Sequence, residues 1–480
     1  MLYFITLLGF LLRITFLNKP EGLWNDEYVS WYVANTPFRD GFWQEVLKQC
    51  HMPLYYLYLK PFAGCSDLIL RLTSVVAGVV AIPIMYFIGK EFSKKSAYIA
   101  TTITSILPFL IYYSQEVRFY SLLFTFSALS LLFTIKFIKS EKYKLAWLLS
   151  LLLIVFTHIL GVIYAFFNIA YVVYKKKKIS AKALTILSVG AIFILFFGLN
   201  VIKMLPTSQW WGHFSYTNIL FLFTDFFSPI LTNNVNAPPV FFYNKSYALW
   251  MILPCLIILY PLYLGIKQAR GLFAVTLLTL VTMFVFAIFG KIVFITKYSM
   301  EVLPIFILLI SIGFAELKRN ILFIAFVLIQ LLSSFTPNYV TKISRLEGHR
   351  IPCEILNIRN PQIILFTYYD SSRFERYIDS KDKRVLTINK SNRFAYKDAP
   401  QKILEDVKKG EVVSVVFLDS VSFFDEDFIK TNADNPKIPE MFVTFSQIKN
   451  GLVRSLNSNY KDFSVDKMGS WTIVTAKRYK

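Results

Sequence analysis

Long runs of this chain carry no charge, are filled with Leu, Ile, Phe and Val, and recur across residues 1–339. A helix rises about 1.5 Å per residue, so some twenty such residues cross the roughly 30 Å of a bilayer's hydrocarbon. Hydrocarbon offers no hydrogen-bond partners, so backbone within it must be bonded internally, as a helix is. The pattern predicts membrane segments near 2–17, 66–88, 97–113, 119–138, 145–159, 160–174, 183–202, 248–266, 272–290, 298–315 and 320–336, about eleven in all. The same runs decide how the formal net charge of +21 is read. A soluble nucleic-acid binder of that charge would be polar, whereas this chain is 55% hydrophobic with a mean hydropathy of +0.51. Nucleic acid is therefore not an expected partner. Intrinsic disorder is excluded by 47 Phe and 28 Tyr.

The basic excess is concentrated in the membrane part: residues 1–339 carry 27 Lys+Arg against 12 Asp+Glu, and residues 340–480 carry 24 against 18. Lysines 90, 94 and 95, then 136, 139, 142 and 144, then 175–178 and 182, then Lys267 with Arg270 and Lys318 with Arg319 mark every second connection. Such alternation follows the positive-inside rule, so this face is predicted to be cytoplasmic. The N-terminus is then inside and the C-terminal part outside. Two long connections face outward, at 18–65 and 203–247, the first with two interfacial helices and the second rich in Trp, Asn and Pro. From residue 340 short β-rich runs (363–369, 385–388, 412–418, 441–445, 471–476) mix with a helical pattern at 401–409. The expected organisation is a multi-spanning α-helical membrane domain over 1–339 and a small extracytoplasmic α/β domain over 340–480. The four cysteines have no metal-ligand spacing; Cys50 and Cys65 are an alternative disulfide pair if both lie outside.

Topology narrows the search for chemistry. Three of the twelve acids fall on the cytoplasmic side, and Glu21, Asp26, Glu27, Asp40, Glu45, Asp67, Glu116, Asp225 and Glu301 fall on or near the outer face. Asp26 and Glu27, in the run Trp24-Asn25-Asp26-Glu27-Tyr28, suit a general base with an acidic neighbour. The plainer reading is a helix N-terminus with acids in its first turn, and spacing alone favours it. His51 opens the run His51-Met52-Pro53-Leu54-Tyr55-Tyr56, where it can touch a phosphate or hydroxyl, or simply stand at the surface beside aromatics that anchor the boundary. Glu116, Arg118 and Tyr120 fall in an outward turn; if the next helix starts early, Glu116 and Tyr120 share a face, and otherwise Glu116 and Arg118 read as an interfacial ion pair. His158 stands where two segments meet outside, and Lys297-Tyr298 opens a membrane helix, where a cation can meet a phosphate or merely snorkel. Arg13, near the end of the first segment, has the same two readings.

Taken in chain order, an acidic pair, a His-x-Pro-Leu-Tyr run, Glu-x-Arg-x-Tyr, Thr-His and a basic-Tyr pair before Leu-Pro resemble the bacterial GT-C glycosyltransferases. The nearer branch resembles the protein O-mannosyltransferases and the lipid A aminoarabinose transferase, over roughly residues 1–315. The resemblance implies transfer of a sugar from a polyprenyl-phosphate carrier to an acceptor at the outer face, usually with inversion. It implies that Asp26 deprotonates the acceptor and that Glu27 and Glu116 orient the base or contact the acceptor. His51, Arg118, Tyr120, Lys297 and Tyr298 would then bind the carrier and its phosphate, with Tyr55 and His158 as secondary candidates. Two departures weaken individual contacts: Met52 replaces a proline, and Lys297 stands where many relatives carry arginine and so lacks the bidentate fork.

The chemistry agrees with this assignment, because expelling a phosphate calls for one base and cations rather than a strong general acid. The expected localisation is the cytoplasmic (inner) membrane of a bacterium, with membrane lipid and a lipid-linked sugar donor as partners and the acceptor open among lipid, glycan and protein. No cofactor is required by the motifs; a divalent ion at the acidic pair is compatible with them. The rival readings are a lipid-linked-sugar flippase, disfavoured by nearly charge-free mid-helix regions, and a glycan ligase or polymerase.

Overall fold

The computed structural model describes residues 1–18, 22–49, 52–176, 199, 217–228, 245–289, 296–334, 348, 350–366, 374, 376–378, 384–387, 408–418, 460–468 and 471–479. The chain forms two compact units, Met1–Leu17 with Val29–Val340, and Asn18–Tyr28 with Thr341–Lys480. The expected segment 183–202 and most of the second long connection, 203–247, lie outside the described residues, as do Cys50 and most of the helical pattern at 401–409.

The first unit is helical. Its elements are α1 (Leu2–Ile14), α2 (Asn25–Asn35, whose first turn counts with the other unit), α3 (Phe42–Lys48), α4 (Leu54–Leu59), α5 (Asp67–Lys90), α6 (Lys94–Ile106), α7 (Pro108–Ser114), α8 (Tyr120–Lys139), α9 (Lys144–Thr157) and α10 (Gly161–Lys176). They continue with α11 (Thr217–Phe227), α12 (Lys245–Gln268), α13 (Arg270–Ile288), α14 (Leu303–Glu316) and α15 (Ile321–Ser334). Among the described residues four helices are long and apolar enough to cross a membrane: α5, α8, α13 and the continuous stretch Thr296–Glu316 that contains α14. The bent pair α6–α7 makes a fifth if it is one span, and α1, Ile252–Gln268 and Ile321–Leu332 are shorter apolar helices.

The expected single segment 97–113 is broken, with α6 and α7 meeting at 54°. Pro108 explains the break, since it has no N–H and forces Leu107 into an extended conformation (φ −65°, ψ 115°). The break strips the last carbonyls of α6 of their helical donors, and in an apolar surrounding such orphans are costly. Arg13 of α1 fills them. Its guanidinium donates to the carbonyls of Thr104 (2.9 Å) and Ser105 (3.0 Å), to Gly9 of its own helix (2.9 Å) and to the Ser114 hydroxyl of α7 (3.1 Å). The side chain is fully buried. Arg13 therefore neither snorkels to the surface nor stands open to a ligand; it joins three helices.

Close packing without bulky side chains joins α12 to α14. A Cβ added at Gly265 of α12 would strike the Leu309 carbonyl, and one at Gly313 of α14 would strike the Pro261 carbonyl. Such reciprocal small-residue contacts let backbones approach where the hydrophobic effect gives no drive for association. Polar side chains tie other helices: the Asn168 carbonyl oxygen accepts from Thr134 (3.0 Å) and from the Trp147 indole (2.9 Å), linking α8, α9 and α10.

The second unit is built on a five-stranded sheet of order β2-β1-β3-β5-β4, from β1 (Ile363–Phe366), β2 (Arg384–Thr387), β3 (Val412–Leu418), β4 (Tyr460–Met468) and β5 (Trp471–Arg478). β1 pairs in parallel with β2 and β3, while β5 runs antiparallel to β3 and β4. β1, enclosed between β2 and β3, is an uninterrupted Ile-Ile-Leu-Phe run, as expected of a parallel strand covered on both faces. α16 (Arg350–Arg359) packs Cys353, Ile355 and Leu356 against Ile364, Val416 and Ile473, and Arg359 grips the Asp466 carboxylate with two bonds of 2.9 and 3.0 Å. Gly22 belongs to this unit: its φ of +81° and its close approach to the Arg350 backbone both require glycine.

Replacing Arg13 with Met should expose the cost of the orphaned α6 carbonyls, about 3 kcal/mol or more given a penalty of about 1–3 for each unsatisfied buried group. Thermal unfolding of the purified protein in detergent measures it, and an unchanged midpoint would refute the capping role.

Candidate functional site

Four stretches of the first unit bring the candidate cations and aromatics together. The first is the five-residue connection between α7 and α8. Its start is fixed by Gln115, whose side-chain amide donates to the carbonyls of Arg13 (2.9 Å) and Thr15 (2.7 Å) at the end of α1. The connection then turns sharply, with the Arg118 amide donating to the Glu116 carbonyl at 2.7 Å. That bond closes a three-residue turn. α8 begins at Tyr120, so Glu116 lies in the turn and not on the helix face considered above. Glu116, Arg118 and Tyr120 are all buried.

The second stretch is the 3-10 segment Thr296–Val302, which precedes α14 and departs from helical geometry at Ser299. Lys297 and Tyr298 therefore stand in the irregular first part of the Thr296–Glu316 span. Regular helix starts only at Leu303, where Pro304 occupies the first turn that proline favours. The third stretch is the corner between α9 and α10, where His158 follows Thr157 with extended backbone. The fourth is α4, which carries Tyr55.

These stretches converge on Phe119, Tyr120, His158 and Tyr298. His158 is stacked between Phe119 (centroids 5.0 Å apart, 20° between planes) and Tyr298 (5.4 Å, 29°). The Tyr120 ring contacts Phe119 at 4.5 Å and Tyr298 at 6.5 Å, and Tyr55 reaches Phe119 at 6.4 Å. Two cations meet on this frame. The Arg118 guanidinium carbon is 5.8 Å and the Lys297 ammonium 5.4 Å from the Tyr120 centroid. Arg118 also donates to the Ser30 hydroxyl at 3.3 Å and lies 5.5 Å from the Phe119 ring. Ring faces attract cations, but two like charges at one ring repel each other, and an anion between them relieves that repulsion.

The structure thus gathers Arg118, Tyr120, His158, Lys297 and Tyr298, with Tyr55 at the edge and Glu116 in the same turn as Arg118. His51 lies outside the described residues. Asp26 and Glu27 belong to the second unit. There Glu27 accepts a hydrogen bond from the Trp24 amide at 3.3 Å, the reciprocal half of a capping box at the start of α2. Glu27 is buried while Asp26 is half-buried, so Asp26 is the more accessible of the two. Among the described residues no group of three His, Cys, Asp or Glu side chains is placed to hold a metal ion.

Sequence reasoning did not single out Phe119 or Ser30. Phe119 was available as the residue enclosed between Arg118 and Tyr120; nothing local marks Ser30. Glu301 had been placed only among the outward acids. It is fully buried, and neither carboxylate oxygen has a hydrogen-bond partner among the described residues.

No protein-family model matches the chain, and no curated protein is similar to it in sequence. Solved structures do match. ArnT from Cupriavidus metallidurans in the apo state superposes with a TM-score of 0.55 at 10% identity, covering 97% of this chain and 96% of that one. The same protein bound to undecaprenyl phosphate gives a TM-score of 0.55 at 10% identity, covering 98% and 97%. The chain shares the fold of ArnT. An Archaeoglobus fulgidus oligosaccharyltransferase is a more distant match, with a TM-score of 0.48 at 11% identity over 97% of this chain and 72% of that one. The match to ArnT runs over nearly the whole length of both chains.

Glu301→Met should leave the fold intact and raise the unfolding midpoint, because an apolar side chain of similar volume removes an unsatisfied buried group worth about 1–3 kcal/mol. A lowered midpoint in detergent-purified protein would show that the carboxylate has a stabilising partner.

Proposed function

We propose that the chain is an inverting glycosyltransferase that moves a sugar from a polyprenyl-phosphate carrier to an acceptor at the outer face of a bacterial cytoplasmic membrane. The observation that carries this reading is the meeting of Arg118 and Lys297 on the Tyr120 ring, in a chain that shares its fold with a protein crystallised with undecaprenyl phosphate. On this reading the bent pair, the three shorter apolar helices, α9, α10 and the expected segment at 183–202 join the four clear spans to give about eleven crossings. The charge alternation puts the N-terminus inside, and the second unit is extracytoplasmic. The acceptor stays open among lipid, glycan and protein.

In the proposed reaction the acceptor hydroxyl attacks the anomeric carbon from the side opposite the phosphate, and the C–O bond to the carrier breaks. Charge accumulates on the departing phosphate oxygen, where Arg118 and Lys297 stabilise it. The acceptor proton passes to Asp26, the more accessible of the two carboxylates. Glu27, tied to the Trp24 amide, holds the turn that presents Asp26. His51 and Glu116 are assigned to the carrier and acceptor sides respectively by the family resemblance. The residues here do not require a divalent ion, and no step is routed through one.

Asp26→Asn should reduce transfer by about 100- to 10,000-fold, the range a positioned base contributes, with the unfolding midpoint unchanged. Transfer by purified protein from a synthetic polyprenyl-phosphate sugar measures it; wild-type rates in the variant would remove Asp26 from the mechanism. Lys297→Met should raise the donor KM by about tenfold or more and Lys297→Arg much less, since arginine keeps the charge. Equal effects of the two substitutions would argue against a phosphate contact.

A further inference from the structure

The two cations do not reach the site independently. Arg118 comes from the connection before α8 and Lys297 from the 3-10 segment before α14, stretches separated by more than half of the first unit's sequence. Each is the chain neighbour of an aromatic ring, Arg118 of Phe119 and Lys297 of Tyr298. Both rings stack on a third. His158, from a third stretch, lies between them with its plane near both, at 20° and 29°. The imidazole is almost fully buried, and the Arg118 charge acts on it electrostatically. A three-ring stack has a defined thickness, because aromatic faces have a preferred separation. The separation of Phe119 from Tyr298, and through the backbone that of Arg118 from Lys297, is therefore set by the ring placed between them.

We propose that His158 is a positioning residue that fixes the spacing of the two cations gripping the carrier phosphate. The proposal rests on the functional reading above and adds to it a residue acting through Phe119 and Tyr298. A thinner or flexible side chain at 158 lets the stack close or slide, and the cations then relax away from the geometry a phosphate needs. An aromatic side chain without ring nitrogens preserves the spacing. This separates the gauge from direct ligand contact, which would need an imidazole nitrogen.

The test uses the full chain in detergent micelles, undecaprenyl phosphate as the binding probe, and transfer kinetics alongside. His158→Phe is expected to bind the probe within about twofold of wild type, while His158→Leu weakens binding by about tenfold, the loss of two ring–ring contacts. In transfer kinetics the Leu variant should show its defect mainly in donor KM rather than kcat. In a Lys297→Met background His158→Leu should add little, because with one cation gone there is no spacing left to hold. A Phe variant as weak as the Leu variant, or a Leu defect that persists undiminished in the Lys297→Met background, overturns the proposal in favour of direct contact. If His158→Leu does not fold, the Phe variant alone decides. Wild-type protein that fails to bind undecaprenyl phosphate overturns the functional reading itself; wild-type binding with an unaffected His158→Leu variant overturns only the role of His158.

Discussion

The first unit depends on a guanidinium placed where a proline has broken a helix. Pro108 bends α6 into α7 and leaves the Thr104 and Ser105 carbonyls without helical donors, and Arg13 supplies the missing bonds from α1. A buried arginine is costly unless its donors are used, and here they bond to backbone carbonyls and to Ser114. The arrangement satisfies two deficits at once, since neither the broken helix nor the buried cation would be stable without the other. It also reaches the candidate site. Gln115, the first residue beyond α7, is bonded to the carbonyls of Arg13 and Thr15, so the connection carrying Arg118 is anchored to the end of α1.

Upon that anchor stands an aromatic frame whose Tyr120 ring has a cation from each of two distant stretches near its centroid, at 5.8 and 5.4 Å. Cation–π attraction, about 0.5–2 kcal/mol per contact, helps hold both cations against the frame. Lysine and arginine contribute differently: Arg118 is buried and also bonded to Ser30, while Lys297 is only half-buried and ends a flexible stem. The two would thus divide the work of a fixed and an adjustable contact.

Much of this was legible in the residues. The apolar runs predicted the helices closely where turns and charges bound them, as at 119–138 against α8 and 160–174 against α10. The motif series picked out Arg118, Tyr120, His158, Lys297 and Tyr298, which the fold then gathered around one frame. One local expectation failed because proline position outweighs hydrophobic continuity: Pro108 bent a segment read as continuous. Arg13 was ambiguous in sequence because its partners are backbone carbonyls more than ninety positions away, which no spacing rule can reveal.

The sequence by itself determined the class of the protein, the basic excess that marks alternate connections, and the short set of residue types able to run the chemistry. These follow from hydrophobic length and charge, which act locally and so are written in consecutive residues. The tertiary structure decided which candidates meet. It put Arg13 to structural use, made Glu27 a helix cap, buried Glu301 and inserted His158 between two rings from distant stretches. Such outcomes depend on which backbone groups a fold leaves unsatisfied and which faces it brings into contact, and those are properties of packing rather than of any segment.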